Sequence, residues 1–347
     1  MSYEQLIKGA VLDKDRIDLY KKPKYRLFKT LYSDACRMDC KYCPFSRHCN
    51  YPRASWREDE LVRVFLDAYK SRRVDGLFLS SSLFNDPETV VEKELSIVEI
   101  LRKRGYRGYI HLRLMPGTPK DLLFHAAVLA DRAGINIEAP RHVFHEIAPS
   151  KGDWLNDIIK RIEWLVWLKR KFRREQRRGP GYLSSGIDTQ IMLGVLDETD
   201  LEVIETVWRL LQVGVDRIYI SGFRPYKQTP LENKNPINHH RYLRVVKAVE
   251  LMRAYGFTLD EIKTIVDGNG MLMPGDPKVL YAKMNKHLYP VDVNNDPYER
   301  LIRVPGIGPR TARKIIALRK DKKLQPNDLI KIMGWQRYKQ ASKYITM

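Results

Sequence analysis

The sequence predicts an α/β protein: six parallel strands, each followed by a helix, curling into a partial (β/α)6 TIM-like barrel, with a small all-α domain at the carboxyl end. Three observations carry this prediction. Short β-branched and apolar runs alternate with longer runs of helical period between residues 25 and 235. Three closely spaced cysteines stand in the loop after the first such run. A basic stretch near the carboxyl end is punctuated by glycine and proline.

Residues 1–24 read as a polar leader. The first strand, Tyr25–Tyr32, runs into the cysteines. Ser55-Trp56-Arg57-Glu58 reads as a capping box that opens a helix to about Arg72. Strands follow at Gly76–Leu79, Tyr109–Leu114, Ile135–Glu138, Gly186–Leu193 and Arg217–Ile220. The helices between them are Glu88–Arg104, Pro119–Arg132 closed by Gly134, Trp154–Arg174 and Asp200–Val213. Strictly alternating elements of these lengths imply right-handed βαβ crossovers, and six units make an incomplete barrel over 25–235. Residues 236–296 form a helical connection that includes His239–Tyr255, and 297–347 form the last domain.

The chain has 347 residues, with 62 Lys and Arg against 42 Asp and Glu, for a formal charge of +20. That imbalance points to a polyanionic partner such as nucleic acid, while a charge-rich thermostable surface explains the abundance but not the excess. Four cysteines, three in one loop, exclude a disulfide framework and suit a reducing, cytoplasmic setting. Residues 1–20 lack an apolar signal core, and no apolar run approaches bilayer length, so no membrane partner is expected.

Cys36, Cys40 and Cys43 have C-x3-C-x2-C spacing. Soft thiolates select iron–sulfur clusters or zinc. Three in one loop suit a [4Fe–4S] cube with one iron lacking a protein ligand. A structural zinc site completed by Cys49 or His48 is the alternative.

This spacing, with Tyr42 before the third cysteine, resembles the signature of the radical S-adenosylmethionine (SAM) superfamily. The resemblance implies the same partial barrel, a [4Fe–4S] cluster on Cys36, Cys40 and Cys43, S-adenosyl-L-methionine on the open iron, and an electron donor such as a ferredoxin or flavodoxin. Ser80, Ser81 and Ser82 end the second strand where that family meets the SAM amino group. Asn136 and Glu138 fall where it often binds the ribose, and Gly194 lies in a glycine-then-Glu-Thr element beside the adenine. Arg113 is a candidate for the SAM carboxylate, and Gln190 for the barrel mouth. A carboxylate such as Glu138 at a buried strand end needs a partner.

Near the carboxyl end, Val304-Pro305-Gly306-Ile307-Gly308-Pro309-Arg310-Thr311-Ala312-Arg313-Lys314 resembles a helix-hairpin-helix. Gly306 and Gly308 permit a tight turn, the following helix start offers N–H groups to phosphate, and Arg310, Thr311, Arg313 and Lys314 occupy its first turns. A plain αα-hairpin is the alternative. Asp328 opens a degenerate second copy. Nearly the whole chain, including Pro52-Arg53-Ala54 and Pro290-Val291-Asp292-Val293-Asn294, resembles a family of radical SAM proteins assigned to DNA modification or repair. This implies a radical SAM enzyme acting on a nucleotide in DNA or RNA. The competing expectation is a helix-hairpin-helix binding protein, or a glycosylase-like enzyme, with a structural metal site. Arg310 stands where bifunctional glycosylases need a lysine, and it stays protonated.

Overall fold

The computed structural model describes residues 4–10 and 26–347; most of the expected leader and the start of the first expected strand lie outside them. The chain divides into two compact units, Met1–Glu198 with Leu210–Ile237, and Thr199–Arg209 with Asn238–Met347. No helix of the described residues is long and apolar enough to cross a membrane.

The first unit runs α1 (Glu4–Ala10), β1 (Leu27–Leu31), α2 (Glu58–Lys70), β2 (Gly76–Ser80), α3 (Pro87–Lys103), β3 (Tyr109–Arg113), α4 (Lys120–Leu129), β4 (Arg132–Gly134), α5 (Arg141–Ile147), α6 (Lys160–Arg174) and β5 (Gly186–Leu193). α7 (Asp200–Val213) leads to β6 (Arg217–Gly222). The six strands form one sheet in sequential order, every pair parallel, as a partial (β/α)6 barrel requires.

Strand parity separates two surfaces. Phe28 packs edge-on against Phe65 of α2, and Trp56 Nε1 donates to Thr30 Oγ1 at 2.8 Å, so even positions of β1 face the helices. In register with them run Leu77, Leu79, Ile110, Leu112, Ile187 and Ile191, all fully buried. The opposite face, the inside of the barrel, carries Lys29, Phe78, His111, Arg113, Asp188 and Gln190. An ordinary closed barrel fills this interior with branched apolar side chains; here it is largely polar.

Two expectations are corrected. The fourth strand is Arg132–Gly134, not Ile135–Glu138, and the helix before it ends at Leu129. Gly134 is a strand glycine and not a helix stop: a Cβ there would lie 2.0 Å from Asp188 O and 2.7 Å from Arg113 Nη1. Residues 135–138 continue past the strand to a single bridge between Glu138 and Ile191. Nor does Ser55 cap α2, because its hydroxyl donates to Ser33 Oγ at 2.7 Å, leaving Arg57 at the N-cap without a side-chain hydrogen bond.

The second unit contains α8 (His239–Tyr255), α9 (Leu259–Lys263), α10 (Pro277–Met284), β7 (Val291–Asp292), α11 (Tyr298–Leu301), α12 (Pro309–Leu318), α13 (Pro326–Met333), α14 (Trp335–Ala341) and β8 (Ile345–Thr346). Val291, Val293, Leu301, Val304, Ile307, Ile315, Leu324 and Leu329 form its core. The parallel pair β7–β8 fastens the chain end to residues 291–292.

Candidate metal centre at the barrel mouth

The cysteine loop leaves the carboxyl end of β1 and is tied down on several sides. Asp34, fully buried, accepts from Ala54 N and from Gln5 Nε2, both at 2.7 Å. Arg53 spreads one guanidinium over four carbonyls of the loop: Asp34 O at 2.9 Å, Phe45 O at 3.0 Å, Ser46 O at 2.9 Å and Cys49 O at 2.7 Å. On other sides Arg37 N donates to Leu83 O at 2.9 Å and Lys41 N to Ile147 O at 2.8 Å. Ser150 Oγ donates to Asp39 Oδ1 at 2.5 Å. Loops after β1, β2 and α5 therefore form one connected rim.

Cys40 is buried and Cys36 and Cys43 are half-buried. Burial pushes the Cys40 thiol up to about 11 and raises that of Cys43 further, with the charges of neighbouring thiolates adding to both. Thiols that resist ionisation in their own pocket, as those of Cys40 and Cys43 do, fit a cationic iron–sulfur cube better than open water. Among the described residues, no group of three His, Cys, Asp or Glu is arranged to hold a single ion. Cys49 points elsewhere: its thiol donates to Cys43 O at 3.8 Å and Gln228 O at 3.6 Å. His48 is exposed.

Glu138 adopts a left-handed backbone, φ 61°, a cost of order 1–3 kcal/mol that surrounding structure must hold in place. Its N–H donates to Gln190 O at 3.1 Å and its carbonyl accepts from Met192 N at 2.6 Å. The carboxylate, 4% exposed, is paired with the Lys151 ammonium, which also reaches Tyr42 Oη at 3.5 Å. Burial would lower the Lys151 pKa, but Glu138 and the adjacent thiols raise it, so it stays charged. Lys151 was not expected: it lies in the turn Pro149-Ser150-Lys151-Gly152, and nothing in the sequence marks it.

The remaining candidates are distributed as follows. Ser80, Ser81 and Ser82 are buried; Ser80 O accepts from Tyr32 N at 2.7 Å, and Ser81 Oγ donates to Ser82 O at 2.9 Å. Ser82 Oγ and Asn136 Oδ1 are buried without a hydrogen-bond partner. Arg113 forks onto Asp188, Nη1 to Oδ1 at 3.2 Å and Nη2 to Oδ2 at 2.9 Å, with His111 Nε2 3.0 Å from Oδ2. Burial alone would raise the Asp188 carboxyl, but Arg113 and His111 hold it well below the usual range; burial pushes His111 down to about 4. Gln190 Nε2 donates to Ser221 Oγ at 3.3 Å. Gly194 has φ 84°, and a Cβ there would lie 2.7 Å from Ile237. Its turn is organised by Glu198, whose carboxylate accepts from the N–H groups of Gly194, Val195 and Leu196.

In the second unit Gly306 has φ 88°, and a Cβ would meet Arg337 O at 2.6 Å, so the turn requires glycine. Gly308 is the N-cap of α12. Arg310, Arg313 and Lys314 are exposed, and Thr311 is buried. Asp328 accepts from Gln325 N at 2.9 Å and Lys322 Nζ at 2.5 Å, which makes it a cap and ion-pair partner.

No family model and no curated protein matches the chain. Among solved structures it is similar to methylornithine synthase PylB at 15% identity, TM-score 0.49, over 73% of this chain and 70% of that one. It is similar to the FeFe-hydrogenase maturase HydG from Carboxydothermus hydrogenoformans at 16% identity, TM-score 0.48, over 73% and 55%. A third likeness is to the radical SAM methyltransferase TsrM from Kitasatospora setae, solved with tryptophan and a SAM analog, at 15% identity, TM-score 0.42, over 65% and 44%. The chain spans about half the length of the HydG and TsrM chains it matches.

Proposed function

We propose that the protein is a radical SAM enzyme acting on a nucleotide in DNA or RNA. The observation that carries the enzyme reading is the rim itself: three thiols in one anchored loop, with the fourth cysteine turned to carbonyls, leave a cluster on Cys36, Cys40 and Cys43 one iron short of protein ligands. When bound, such a cluster supplies the electron, drawn from a ferredoxin or flavodoxin, that cleaves SAM reductively. The chain's own residues orient the SAM. Ser82 Oγ and Asn136 Oδ1 are buried acceptors in want of donors, suited to the ammonium and a ribose hydroxyl. Glu138, braced by Lys151, supplies a second ribose acceptor, and Gly194 lines the adenine side. Arg113 is already forked onto Asp188, so a SAM carboxylate there would have to share its guanidinium.

The nucleic-acid part rests on the charge of the carboxyl-terminal segment. Residues 301–347 hold twelve Lys and Arg against two Asp, +10 of the formal +20 of the chain. Arg310, Arg313 and Lys314 stand exposed after the Gly306–Gly308 turn, as a helix-hairpin-helix module over 297–347 would place them for phosphate contact. A binding role is favoured over a glycosylase-like one because Asp328, which falls near the place of a glycosylase's catalytic aspartate, is engaged as a helix cap and ion-pair partner.

Anaerobic reconstitution tests the enzyme reading. The expected result is about four irons per chain and 5′-deoxyadenosine released from SAM with reductant. Changing any of Cys36, Cys40 or Cys43 to Ala removes both, while Cys49→Ser keeps both. One zinc per chain, lost in Cys49→Ser, would refute the proposal.

A further inference from the structure

Away from the metal centre, one helix of the barrel unit concentrates positive charge. Residues 160–178, which are α6 and the turn after it, hold nine Lys and Arg against two Glu, +7 of the formal +20 of the chain. Lys169 is buried and paired with Asp216, while Lys160, Arg170, Arg173 and Arg174 stand exposed along the helix.

The same outer face carries large aromatic rings that a merely solvated helix does not need. Trp167 is 42% exposed and stacks on Trp164, with ring centres 4.6 Å apart and planes 11° from parallel. From the adjoining α4, Phe124 is 43% exposed, and its ring centre lies 6.0 Å from that of Phe172, a buried residue of α6. Ammonium groups sit among these rings. Lys120 Nζ is 4.8 Å from the Trp164 ring centre, and Lys171 Nζ is 5.5 Å from that of Trp167 and 6.0 Å from that of Phe124. Lys171 also makes a loose ion pair with Glu175 at 3.9 Å, and two exposed carboxylates, Asp121 and Glu163, lie on the same two helices. Single exposed apolar side chains are ordinary, whereas a connected cluster rimmed by charge marks a contact surface.

We infer that the outer face of α4 and α6, around Phe124, Trp164, Trp167, Lys120 and Lys171, binds single-stranded nucleic acid. One ammonium within reach of two exposed rings matches a strand in which one phosphate joins two bases. At 5.5 and 6.0 Å the Lys171 ammonium is close to the limit of a cation–π contact, about 6 Å, so it is not seated on either ring and remains open to an anion. Unpaired bases offer their faces to aromatic side chains, but the bases of a duplex are stacked on one another and hide them, so the rings select an unpaired strand. An acidic protein would answer the cations alone. The inference deepens the nucleic-acid reading above and rests on it for the class of polymer, yet it uses none of the residues of α12.

The test measures binding of a labelled oligothymidylate, and of a mixed-sequence duplex of equal length, to the full-length protein by fluorescence anisotropy. Each measurement is repeated in Arg310→Gln/Arg313→Gln/Lys314→Gln protein, which silences the α12 contact. Phe124→Ala/Trp167→Ala should weaken oligothymidylate binding about tenfold or more in both backgrounds and leave duplex affinity unchanged. Phe124→Tyr/Trp167→Phe should keep most of the affinity, with circular dichroism confirming that each variant is folded. Lys120→Gln/Lys171→Gln should lower the salt slope for the single strand by about 0.7 per lost phosphate contact. Equal oligothymidylate affinity in the parent and in Phe124→Ala/Trp167→Ala overturns the inference, as does an equal loss for the duplex. Competition by polyglutamate as strong as by unlabelled oligothymidylate would replace the strand with an acidic protein, and a dimer that the alanine changes dissociate in sedimentation would replace it with a second copy of the chain. Loss of duplex binding in the α12 variant, with oligothymidylate binding indifferent to the rings, would leave the nucleic-acid reading standing without this surface. The converse would keep this surface and remove the α12 contact, and a parent that binds neither polymer would remove both.

Discussion

In the barrel unit Arg113 is 4% exposed and forked onto Asp188, and Lys151 is paired with Glu138; in the carboxyl-terminal unit Arg310, Arg313 and Lys314 are all exposed. The same residue types thus sit in two kinds of environment. A charge held out of water interacts strongly and over a short, fixed geometry, which suits positioning of a small ligand. A solvated charge interacts weakly, is screened by salt within about 10 Å at 0.1 M, and is useful chiefly when many phosphates arrive together.

The largest effect should come from breaking the buried side of this contrast. Asp188→Ala leaves Arg113 without its forked partner inside the sheet, and breaking such a pair typically costs about 3–5 kcal/mol. Urea unfolding should show this as a lower midpoint. The double variant Asp188→Leu/Arg113→Met should recover part of the loss, since the guanidinium forked onto Asp188 is then gone as well, while Arg132 still faces the site. A cost for Asp188→Ala below about 1 kcal/mol would mean that the inner face is well solvated, and the contrast would fail.

One residue of the second unit crosses the divide. Lys278 is pushed by burial down to about 7, although its ammonium donates to Ile307 O and lies 4.6 Å from the Tyr255 ring centre. Because the folded value lies below that of the unfolded chain, the unfolded state binds more protons between about pH 7 and 10.4, and stability should rise with pH across that window. The gain should be on the order of 2–3 kcal/mol and absent from Lys278→Met. Melting of the two proteins at pH 7 and 9.5 measures it; parallel curves would show that the carbonyl and ring keep Lys278 charged throughout.

Arg53 sharpens the same point with a smaller effect. Lysine keeps the charge but cannot place donors on four carbonyls at once, so Arg53→Lys should lower stability by about 1–2 kcal/mol and loosen the cysteine loop. Faster hydrogen exchange confined to residues 34–49 would report this. Uniform exchange would assign Arg53 to general stability only.

Much of this was legible in the sequence because its signals are local. Cysteine spacing is a fact of a single loop, and the strand–helix alternation survives small errors of boundary. A carboxylate at the end of a buried run marked Glu138 before its strained backbone was visible. Failures came where meaning depends on a distant neighbour. Gly134 looked like a helix stop, and only the approach of Asp188 and Arg113 shows that it is a strand glycine. Lys151 gains its importance from Glu138, thirteen residues earlier, and from a loop more than a hundred residues away. The strands Val291–Asp292 and Ile345–Thr346 are too short to show an alternation at all.

The smallest expected effect on folding concerns the exposed side. Arg310→Gln/Arg313→Gln/Lys314→Gln removes three solvated cations, and surface changes of this kind usually stay within about 0.5 kcal/mol each. Its melting temperature should therefore match that of the parent closely. Duplex binding should not. If each side chain neutralises one phosphate, log affinity against log salt should lose about 0.9 of slope per contact, close to 3 for the triple variant. Contacts of that kind carry no sequence information, so duplexes of different sequence should weaken alike. Filter binding across a salt series decides it. An unchanged slope would place the nucleic-acid contact away from α12, and the excess charge of residues 301–347 would then reflect solubility rather than recognition.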